Sequence, residues 1–468
     1  MSIVLDYGDI LTPRLGSNGI EPERLKTDLA EKFERAHAKI EKTVICNEGG
    51  FIDLESTWTD LEEVEALAQG YKERFNAVVV VGMGGSSLGV QAVCQALLGD
   101  SWNLMDDESR DCFPKVYFLD NLDPVGVFEL LEAIDVRRTL FNVVSKSGST
   151  AETLALYAVI EDLVVNEVGP DKACEHFLFT TDPSLGTLRS IAENRGIKTL
   201  EVPPKVGGRF SVLSPPSLFL AALVGLDVRR IIKGAKIAKE QCKSTILRDN
   251  KAGIIGTLLY VADLEQKRNV HVIMPYCDRL QKFCQWLQQL WSESLGKAQN
   301  LSGDLVNNGP TLLTARGAAD QHSQLQLFTE GPENKVIFFL TLKDHAGDIN
   351  IPVEKLEFDP FRSLSQWRLG ELLNLEYQAT VESLRRMGRP TMTLELDKLN
   401  EEVLGELLML FMVATVYAAA LYEVDPLNQP GVELSKRLTF ELLDREEIDP
   451  SYLPKTDSRW RLGETSSD

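Results

Sequence analysis

One segment concentrates hydroxyl groups directly after an apolar run. Residues 141–144 are followed by six residues that include a lysine, a glycine and four hydroxyl side chains: Ser145, Lys146, Ser147, Gly148, Ser149 and Thr150. Hydroxyls and unpaired backbone N–H groups at a helix start can bind the three oxygens of a phosphate without several full charges. A helix N-cap is the alternative interpretation, but a cap needs only one hydroxyl. The segment therefore favours an anion site.

A glycine-rich loop follows an earlier apolar run. Residues 77–81, Ala-Val-Val-Val-Val, lead into residues 82–89, Gly-Met-Gly-Gly-Ser-Ser-Leu-Gly. Glycines let the backbone approach an anion closely, and a helix start offers free N–H groups. Ser87 stands where the dinucleotide-binding pattern needs its third glycine, and no acidic residue ends a second strand about 20 residues later, so nicotinamide binding is disfavoured. The loop is either a phosphate or sugar site or a plain tight turn.

Two charged residues stand in contexts that suit proton transfer. Arg209 follows two glycines, which clear space for a guanidinium where negative charge develops, although a turn with a surface arginine is the alternative. Glu293 lies four residues after Gln289 in a predicted helix that ends at Gly296, so the two side chains share one face. A partly buried carboxylate among aromatic residues can be a general base, whereas most such residues are simply solvated.

His322 and Lys436 have weaker contexts. His322, one of five histidines, follows a glycine turn at a predicted helix start, where a structural role is the alternative. Lys436 lies after the Asn-Gln-Pro-Gly sequence at 428–431, and by itself it is a lysine on a capped surface helix.

Composition restricts the partners. The 468 residues are 44% hydrophobic and 25% charged, with a formal net charge of −21, so neither nucleic acid nor an anionic membrane is an expected partner. The seven cysteines form no CxxC pair, which predicts free thiols in a reducing compartment and no zinc site. No signal peptide is expected at the start, and the apolar stretch 407–422 is short for a membrane span, which predicts a buried helix.

The elements that must position these residues alternate between strands and helices. Short runs rich in Val, Ile and Phe predict strands at 77–81, 116–120, 141–145, 177–181, 199–203, 270–275, 335–342 and 391–396. This alternation predicts an α/β fold with two doubly wound, mainly parallel sheets, in which ligands bind beyond the carboxyl ends of the strands. We predict a helical N-terminal segment, a connecting helix at 226–248, two α/β domains and a tail, divided as 1–55, 56–235, 236–440 and 441–468.

Seven segments together resemble one family. In chain order between residues 81 and 438 they are VGMGGSSLG, SKSGSTAET, TTDPSLGTL, VGGRFSVLSP, WSESLGKAQN, GAADQHSQLQLFTEG and NQPGVELSKRL. This ordered set resembles the glucose-6-phosphate isomerase family. The resemblance implies two sugar isomerase (SIS) domains and a cytoplasmic homodimer with shared active sites. It also implies reversible isomerisation of glucose 6-phosphate and fructose 6-phosphate, in glycolysis and gluconeogenesis, with no cofactor.

The resemblance also implies roles for individual residues. Glu293 would be the base that moves a proton between C2 and C1, and Arg209, with the backbone of Gly208, would stabilise the enediolate. His322 from the neighbouring subunit and Lys436 would open the sugar ring. The remaining residues would bind the substrate, with Lys146 acting through its backbone: Ser86, Ser145, Lys146, Ser147, Thr150, Gln289, Gln429 and Glu152.

The sequence departs from the family pattern at three places. The usual SKTFTT is SKSGST at 145–150, which keeps the hydroxyl positions, and the usual ESNGK is ESLGK at 293–297, which keeps the glutamate and glycine. Pro430 stands where an aromatic residue is frequent.

Three rival functions are weighed against this one. A sugar-phosphate sensor on the same fold would lose Glu293, His322 or Lys436, and all three are present. An amidotransferase would need a glutamine-hydrolysing domain, usually with an N-terminal cysteine, and we expect neither feature in a sequence that starts Met1-Ser2-Ile3. Additional activity on mannose 6-phosphate stays open.

Overall fold

The computed structural model describes residues 2–45, 50–352, 361 and 363–443. The chain divides into two compact units, Met1–Pro426 and Leu427–Asp468. The strands of the first unit are β1 (Ile3–Asp6), β2 (Ala77–Val81), β3 (Lys115–Leu119), β4 (Thr139–Ser145), β5 (Phe177–Thr181), β6 (Lys198–Glu201), β7 (Val270–Pro275), β8 (Lys297–Gln299), β9 (Leu305–Asn308), β10 (Thr311–Thr314), β11 (Lys335–Leu342) and β12 (Thr391–Leu396).

The helices pack around these strands. Those of the first unit are α1 (Thr12–Leu15), α2 (Asp28–Ile40), α3 (Leu54–Lys72), α4 (Leu88–Leu98), α5 (Pro124–Ala133), α6 (Ala151–Val168), α7 (Pro170–Ala173), α8 (Thr187–Arg195), α9 (Pro215–Leu223), α10 (Val228–Gln241), α11 (Lys251–Leu264), α12 (Gln281–Leu295), α13 (Leu325–Glu330), α14 (Leu369–Arg386) and α15 (Glu401–Tyr422). The second unit contains α16 (Glu433–Leu443).

The first sheet has the strand order β3-β2-β4-β5-β6, and all its strands run parallel. Its central strands are apolar runs that are buried along their whole length, as expected for a parallel sheet covered on both faces. The chain leaves β2 towards β3 on one side and later leaves β4 towards β5 on the other. The sheet therefore has a topological switch point between β2 and β4, where such folds bind ligands.

The second sheet has the order β1-β12-β11-β7-β10. The strands β7, β10, β11 and β12 are parallel, whereas β1 pairs antiparallel with β12, Ile3 opposite Leu396. The predicted helical segment at 1–55 therefore contains a strand at its start, which the prediction did not include. Four residues there complete the edge of a distant sheet, and this pairing is a tertiary contact that local pattern does not reveal.

Helix α15 crosses the core of the first unit. It is long and apolar enough to span a membrane, but 94% of its most apolar window is buried inside the protein. Its close crossing with α10 requires two glycines. A Cβ atom added to Gly234 would lie 1.8 Å from the carbonyl oxygen of Glu402, and one added to Gly405 would lie 1.9 Å from that of Ile231. The predicted buried helix is confirmed and is longer than 407–422.

The predicted fold class is confirmed, since both large sheets are mainly parallel and helices connect their strands. The predicted connecting helix at 226–248 is the shorter helix α10. The boundary between two α/β domains at 235/236 stays a prediction, because both sheets belong to one compact unit. Of the predicted tail, residues 444–468 lie outside the described residues, as does Cys46; the six other cysteines are free.

Candidate functional site

Residues 82–87 after β2, which we call the glycine loop, pack closely against the end of β4 and against the segment at Gly208. A short 3-10 helix, Gly84–Ser86, precedes the start of α4. A Cβ atom added to Gly82 would lie 2.9 Å from the carbonyl oxygen of Val144, and one added to Gly85 would lie 2.4 Å from the carbonyl carbon of Gly208. Only glycine permits such approaches. The loop thus contacts both the end of β4 and the segment that carries Arg209.

Three hydroxyl side chains lie close together in residues 145–150 at the end of β4, which we call the hydroxyl loop. The Oγ1 atom of Thr150 lies 3.0 Å from the Oγ of Ser145 and 3.4 Å from the Oγ of Ser147. Thr150 is the N-cap residue of α6, yet its side chain makes no capping hydrogen bond. The helix-cap interpretation therefore does not account for this hydroxyl. The loop lies at the positive end of a helix of 18 residues, where an anion is favoured.

Lys146 fastens the hydroxyl loop to the chain that follows β6. Its Nζ donates to the carbonyl oxygen of Pro204 at 2.8 Å. Burial lowers the pKa of Lys146 below its ordinary value, and the nearby carboxylate of Asp182 opposes this shift. Its side chain is thus engaged with protein, which is compatible with the backbone role that the family resemblance implies.

Arg209 is a buried residue and not the surface arginine of the alternative interpretation. It lies in the 3-10 helix Gly208–Leu213 and is 4% exposed. Its Nε donates to the Oγ of Ser294 at 2.8 Å, and its Nη2 donates to the carbonyl oxygen of Pro426. Its own carbonyl oxygen accepts a hydrogen bond of 3.2 Å from the indole of Trp286. The guanidinium is therefore fixed on several sides.

Glu293 faces this guanidinium from the last turn of α12. Its Oε2 lies 3.4 Å from the Nη1 of Arg209, and the two side chains are 27% and 3% exposed. The Nε2 of Gln289 donates to the same Oε2 at 3.2 Å, so the predicted shared helix face is confirmed. A Cβ atom added to Gly84 would lie 3.1 Å from that Nε2, which places the glycine loop beside Gln289.

The charges around this pair balance one another. Burial lowers the pKa of Arg209, whereas the carboxylates of Glu293 and Asp425 oppose that shift. Lys297 is also buried, and burial together with the positive charge of Arg209 lowers its pKa to about 8. Two buried cations are therefore accompanied by two partly exposed carboxylates.

Sequence reasoning missed three members of this region. Ser294 and Lys297 lie in the same motif as Glu293, and a lysine directly after a helix-ending glycine is a recognisable C-terminal signal. Asp425 follows α15, far from that motif in the sequence, and no local pattern marks it.

Two predicted site residues of the first unit, His322 and Glu152, are exposed and make no hydrogen bond with this cluster in the part of the chain that the structure describes. His322 is exposed at the end of the 3-10 helix Ala319–His322, before α13, and so does not begin a helix as predicted. Glu152 is exposed in the first turn of α6. In the second unit, Gln429 precedes the 3-10 helix Pro430–Val432, and the Nζ of Lys436 pairs with Glu433 at 3.0 Å on α16.

The arrangement has the parts that an enediolate reaction needs. It offers a solvent-accessible carboxylate, a buried cation beside it and an anion cradle at the adjacent strand ends. Among residues 2–45, 50–352, 361 and 363–443, no group of three or more His, Cys, Asp or Glu side chains could hold a metal ion.

Comparison with known proteins decides the family. The sequence model for the family described as phosphoglucose isomerase matches residues 62–457. This chain belongs to the phosphoglucose isomerase family. The glucose-6-phosphate isomerase of Carboxydothermus hydrogenoformans is 36% identical over 452 residues, which are 95% of this chain and 96% of that protein. The glucose-6-phosphate isomerase of Rubrobacter xylanophilus is 37% identical over 444 residues, 95% of this chain and 98% of that protein.

Two solved structures share the fold of this chain. A hypothetical protein from Thermus thermophilus superimposes with a TM-score of 0.84 and 33% identity, covering 95% of this chain and 100% of that one. A glucose-6-phosphate isomerase from Chlamydia trachomatis gives a TM-score of 0.77 over 94% of this chain and 88% of its own length. Its identity is 18%, so this likeness concerns the fold alone. The family resemblance drawn from seven sequence segments is confirmed.

Proposed function

We propose that this protein interconverts glucose 6-phosphate and fructose 6-phosphate. One observation in the structure carries the proposal. The carboxylate of Glu293 lies 3.4 Å from the buried guanidinium of Arg209, and the glycine loop links this pair to the switch point of the first sheet. The membership of the chain in the phosphoglucose isomerase family agrees with this activity. The protein is accordingly an aldose–ketose isomerase of sugar phosphates.

In the mechanism that we propose, Glu293 is the base. Its carboxylate removes the C2 proton of the open-chain aldose and returns it to C1, while a second proton passes from O2 to O1. The intermediate is a cis-enediolate, and Arg209 stabilises its negative charge because the guanidinium is already buried and fixed. Gln289 donates to the same carboxylate oxygen and thereby orients it.

The phosphate of the substrate binds in the hydroxyl loop and the glycine loop. Ser145, Ser147 and Thr150 bring three hydroxyls together at the N-terminus of α6, and Ser86 lies in the 3-10 helix of the neighbouring loop. Backbone N–H groups, including that of Lys146, complete the cradle. The negative charge is held by dipoles and hydrogen bonds at some distance from the reacting carbons.

Ring opening is the remaining chemical step. We assign it to Lys436 and to His322 of a neighbouring subunit, as the family resemblance implies, with Gln429 and the backbone of Gly208 positioning the sugar and Glu152 near the phosphate. His322 is exposed in the single chain, which suits a residue that serves a second subunit. This assignment requires a homodimer. We place the enzyme in the cytoplasm and expect neither nucleic acid nor membrane as a partner.

A coupled assay on purified protein tests this function. Fructose 6-phosphate and mannose 6-phosphate are offered separately in the presence of EDTA, and the formation of glucose 6-phosphate is followed. We expect rapid conversion of fructose 6-phosphate that is insensitive to EDTA. Binding without conversion would indicate the sensor, whereas loss of activity in EDTA that one divalent metal restores would contradict the metal-free mechanism.

A further inference from the structure

A buried lysine closes the end of the helix that carries the base. Lys297 follows the helix-ending Gly296 and is 8% exposed. Its side chain folds back along α12, and its Nζ donates to the carbonyl oxygens of Glu293 at 2.7 Å and Ser294 at 2.8 Å. The last carbonyls of a helix have no partner within the helix, and a cation is favoured there. The ammonium thus satisfies the main chain of the base itself.

The same lysine is linked to the arginine of the site. The main-chain oxygen of Ser294 accepts from Lys297, while the side-chain oxygen of Ser294 accepts from the Nε of Arg209 at 2.8 Å. One residue therefore joins the two buried cations. Any movement of the last turn of α12 would change the positions of both Glu293 and the partner of Arg209.

We propose that Lys297 is a positioning residue for the Glu293–Arg209 pair. Its ammonium fixes the final turn of α12, so that the carboxylate keeps its distance from the guanidinium and from the substrate carbons. Small displacements of a catalytic group lower turnover steeply, by about 10²-fold for 1 Å. This inference rests on the proposed isomerase function, but it concerns a residue to which neither the motifs nor the family comparison assigned a role.

The protonation of Lys297 supplies a distinctive signature. Burial and, after it, the positive charge of Arg209 lower its pKa from the ordinary value of 10.5 to about 8, whereas Asp425 and Glu293 oppose the shift. Arg209 faces the lysine from the 3-10 helix Gly208–Leu213, Asp425 from the segment that follows α15, and Glu293 from α12. The ammonium is present below about pH 8 and is lost as the pH rises through that value. Turnover should therefore fall on the alkaline side of this pKa.

The test compares Lys297→Met with a matched control, Lys335→Met. Lys335 is also buried, at 7% exposure, and its Nζ donates to the carbonyl oxygen of Pro332 at 3.2 Å and to Asn334 Oδ1 at 2.8 Å, at the start of β11. We expect kcat of Lys297→Met to fall about 10- to 10²-fold, with KM changed less than about threefold. The control should keep kcat within about twofold of the wild type, even if both variants melt earlier.

Two further readouts separate positioning from stability. The amide of Gly296, which donates to Ser292 at 2.8 Å, should exchange with deuterated solvent faster in Lys297→Met than in the control. Lys297→Arg keeps a cation that does not titrate near the pKa of the lysine. The alkaline limb of its kcat–pH profile should therefore move to higher pH. This second variant decides the question if Lys297→Met fails to fold.

The possible failures are distinguishable. Wild-type kcat in Lys297→Met, or an alkaline limb that stays in place in Lys297→Arg, would overturn the positioning role and leave the isomerase function intact. A wild-type protein without isomerase activity would refute the function, while the exchange of the Gly296 amide would still test the role of Lys297 in holding α12.

Discussion

The Nη1 of Arg209 lies 3.4 Å from the Oε2 of Glu293, with the guanidinium almost completely buried and the carboxylate 27% exposed. This asymmetry is what an enediolate reaction needs. The cation is desolvated and held by Ser294 and Pro426, so it need not reorganise when negative charge develops. The carboxylate remains accessible to a substrate carbon. The pair is a buried charge pair with one face open to ligand.

Arg209→Lys should lower kcat by about 10²-fold or more, the scale for losing a preorganised donor to an oxyanion. Lysine keeps the charge, but a single ammonium cannot reproduce the fork that reaches Ser294, Glu293 and the Pro426 carbonyl. Steady-state kinetics measure the effect. Arg229→Lys is the control, because Arg229 forms an exposed bidentate pair with Glu65 and should leave kcat unchanged.

Comparable losses in the two arginine variants would contradict the assignment of Arg209. A wild-type kcat in Arg209→Lys would do so as well, since a point charge would then be sufficient at this position.

Thr150→Val should weaken substrate binding with little effect on folding. The hydroxyl makes no capping bond in α6, and a hydrogen bond to a charged group is worth about 1.5–3 kcal/mol, so kcat/KM should fall about tenfold or more. Asp227→Ala is the matched control. The Asp227 side chain accepts from the amide of Arg230 at 3.0 Å as the N-cap of α10, and its loss should cost about 1 kcal/mol of stability without changing kcat/KM.

Chemical denaturation and kinetics of these two variants give the answer together. If Thr150→Val lost stability as Asp227→Ala does and kept its kcat/KM, the hydroxyl would be a structural cap, and the phosphate cradle would need another explanation.

A mixture of two inactive variants tests the proposed homodimer and its proposed shared active site. His322→Ala and Glu293→Gln homodimers should each be nearly inactive, but subunit exchange creates hybrids in which one site holds both wild-type residues. Statistical mixing should restore a substantial part of the wild-type rate. The exchange itself is monitored by mass spectrometry of differently tagged subunits. Verified hybrids without recovered activity would mean that His322 does not serve a neighbouring subunit.

The buried strands were predictable because each is a short run of apolar residues that the sheet covers on both faces. The runs at Ala77–Val81 and Val270–Pro275 match observed strands residue for residue. Strand Ile3–Asp6 was not predictable, because its partner, Thr391–Leu396, lies near the other end of the chain and its outer residues are polar or exposed. Pairing at a sheet edge depends on tertiary context more than on composition.

In the candidate site, too, some contacts were predictable from spacing in the sequence, whereas others depend on tertiary packing. Gln289 and Glu293 are four residues apart in the sequence, and helical periodicity places residues with this spacing on one face. The hydrogen bond between their side chains agrees with this prediction. The contacts of Arg209 with Ser294 and the place of Asp425 depend on how three distant segments fold together. Burial is a property of that packing, so the sequence left open whether Arg209 was a surface residue.

Glu293→Gln gives the most direct test of the central claim that Glu293 carries the proton between C2 and C1. The amide keeps the size and hydrogen bonding of the side chain but cannot accept a proton. Two quantities are measured in deuterated solvent: the turnover of fructose 6-phosphate and the incorporation of deuterium at C2 of glucose 6-phosphate. Both should fall in parallel by at least about 10²-fold, with KM nearly unchanged. A Glu293→Gln protein that still exchanged the C2 proton at the wild-type rate would exclude Glu293 as the base.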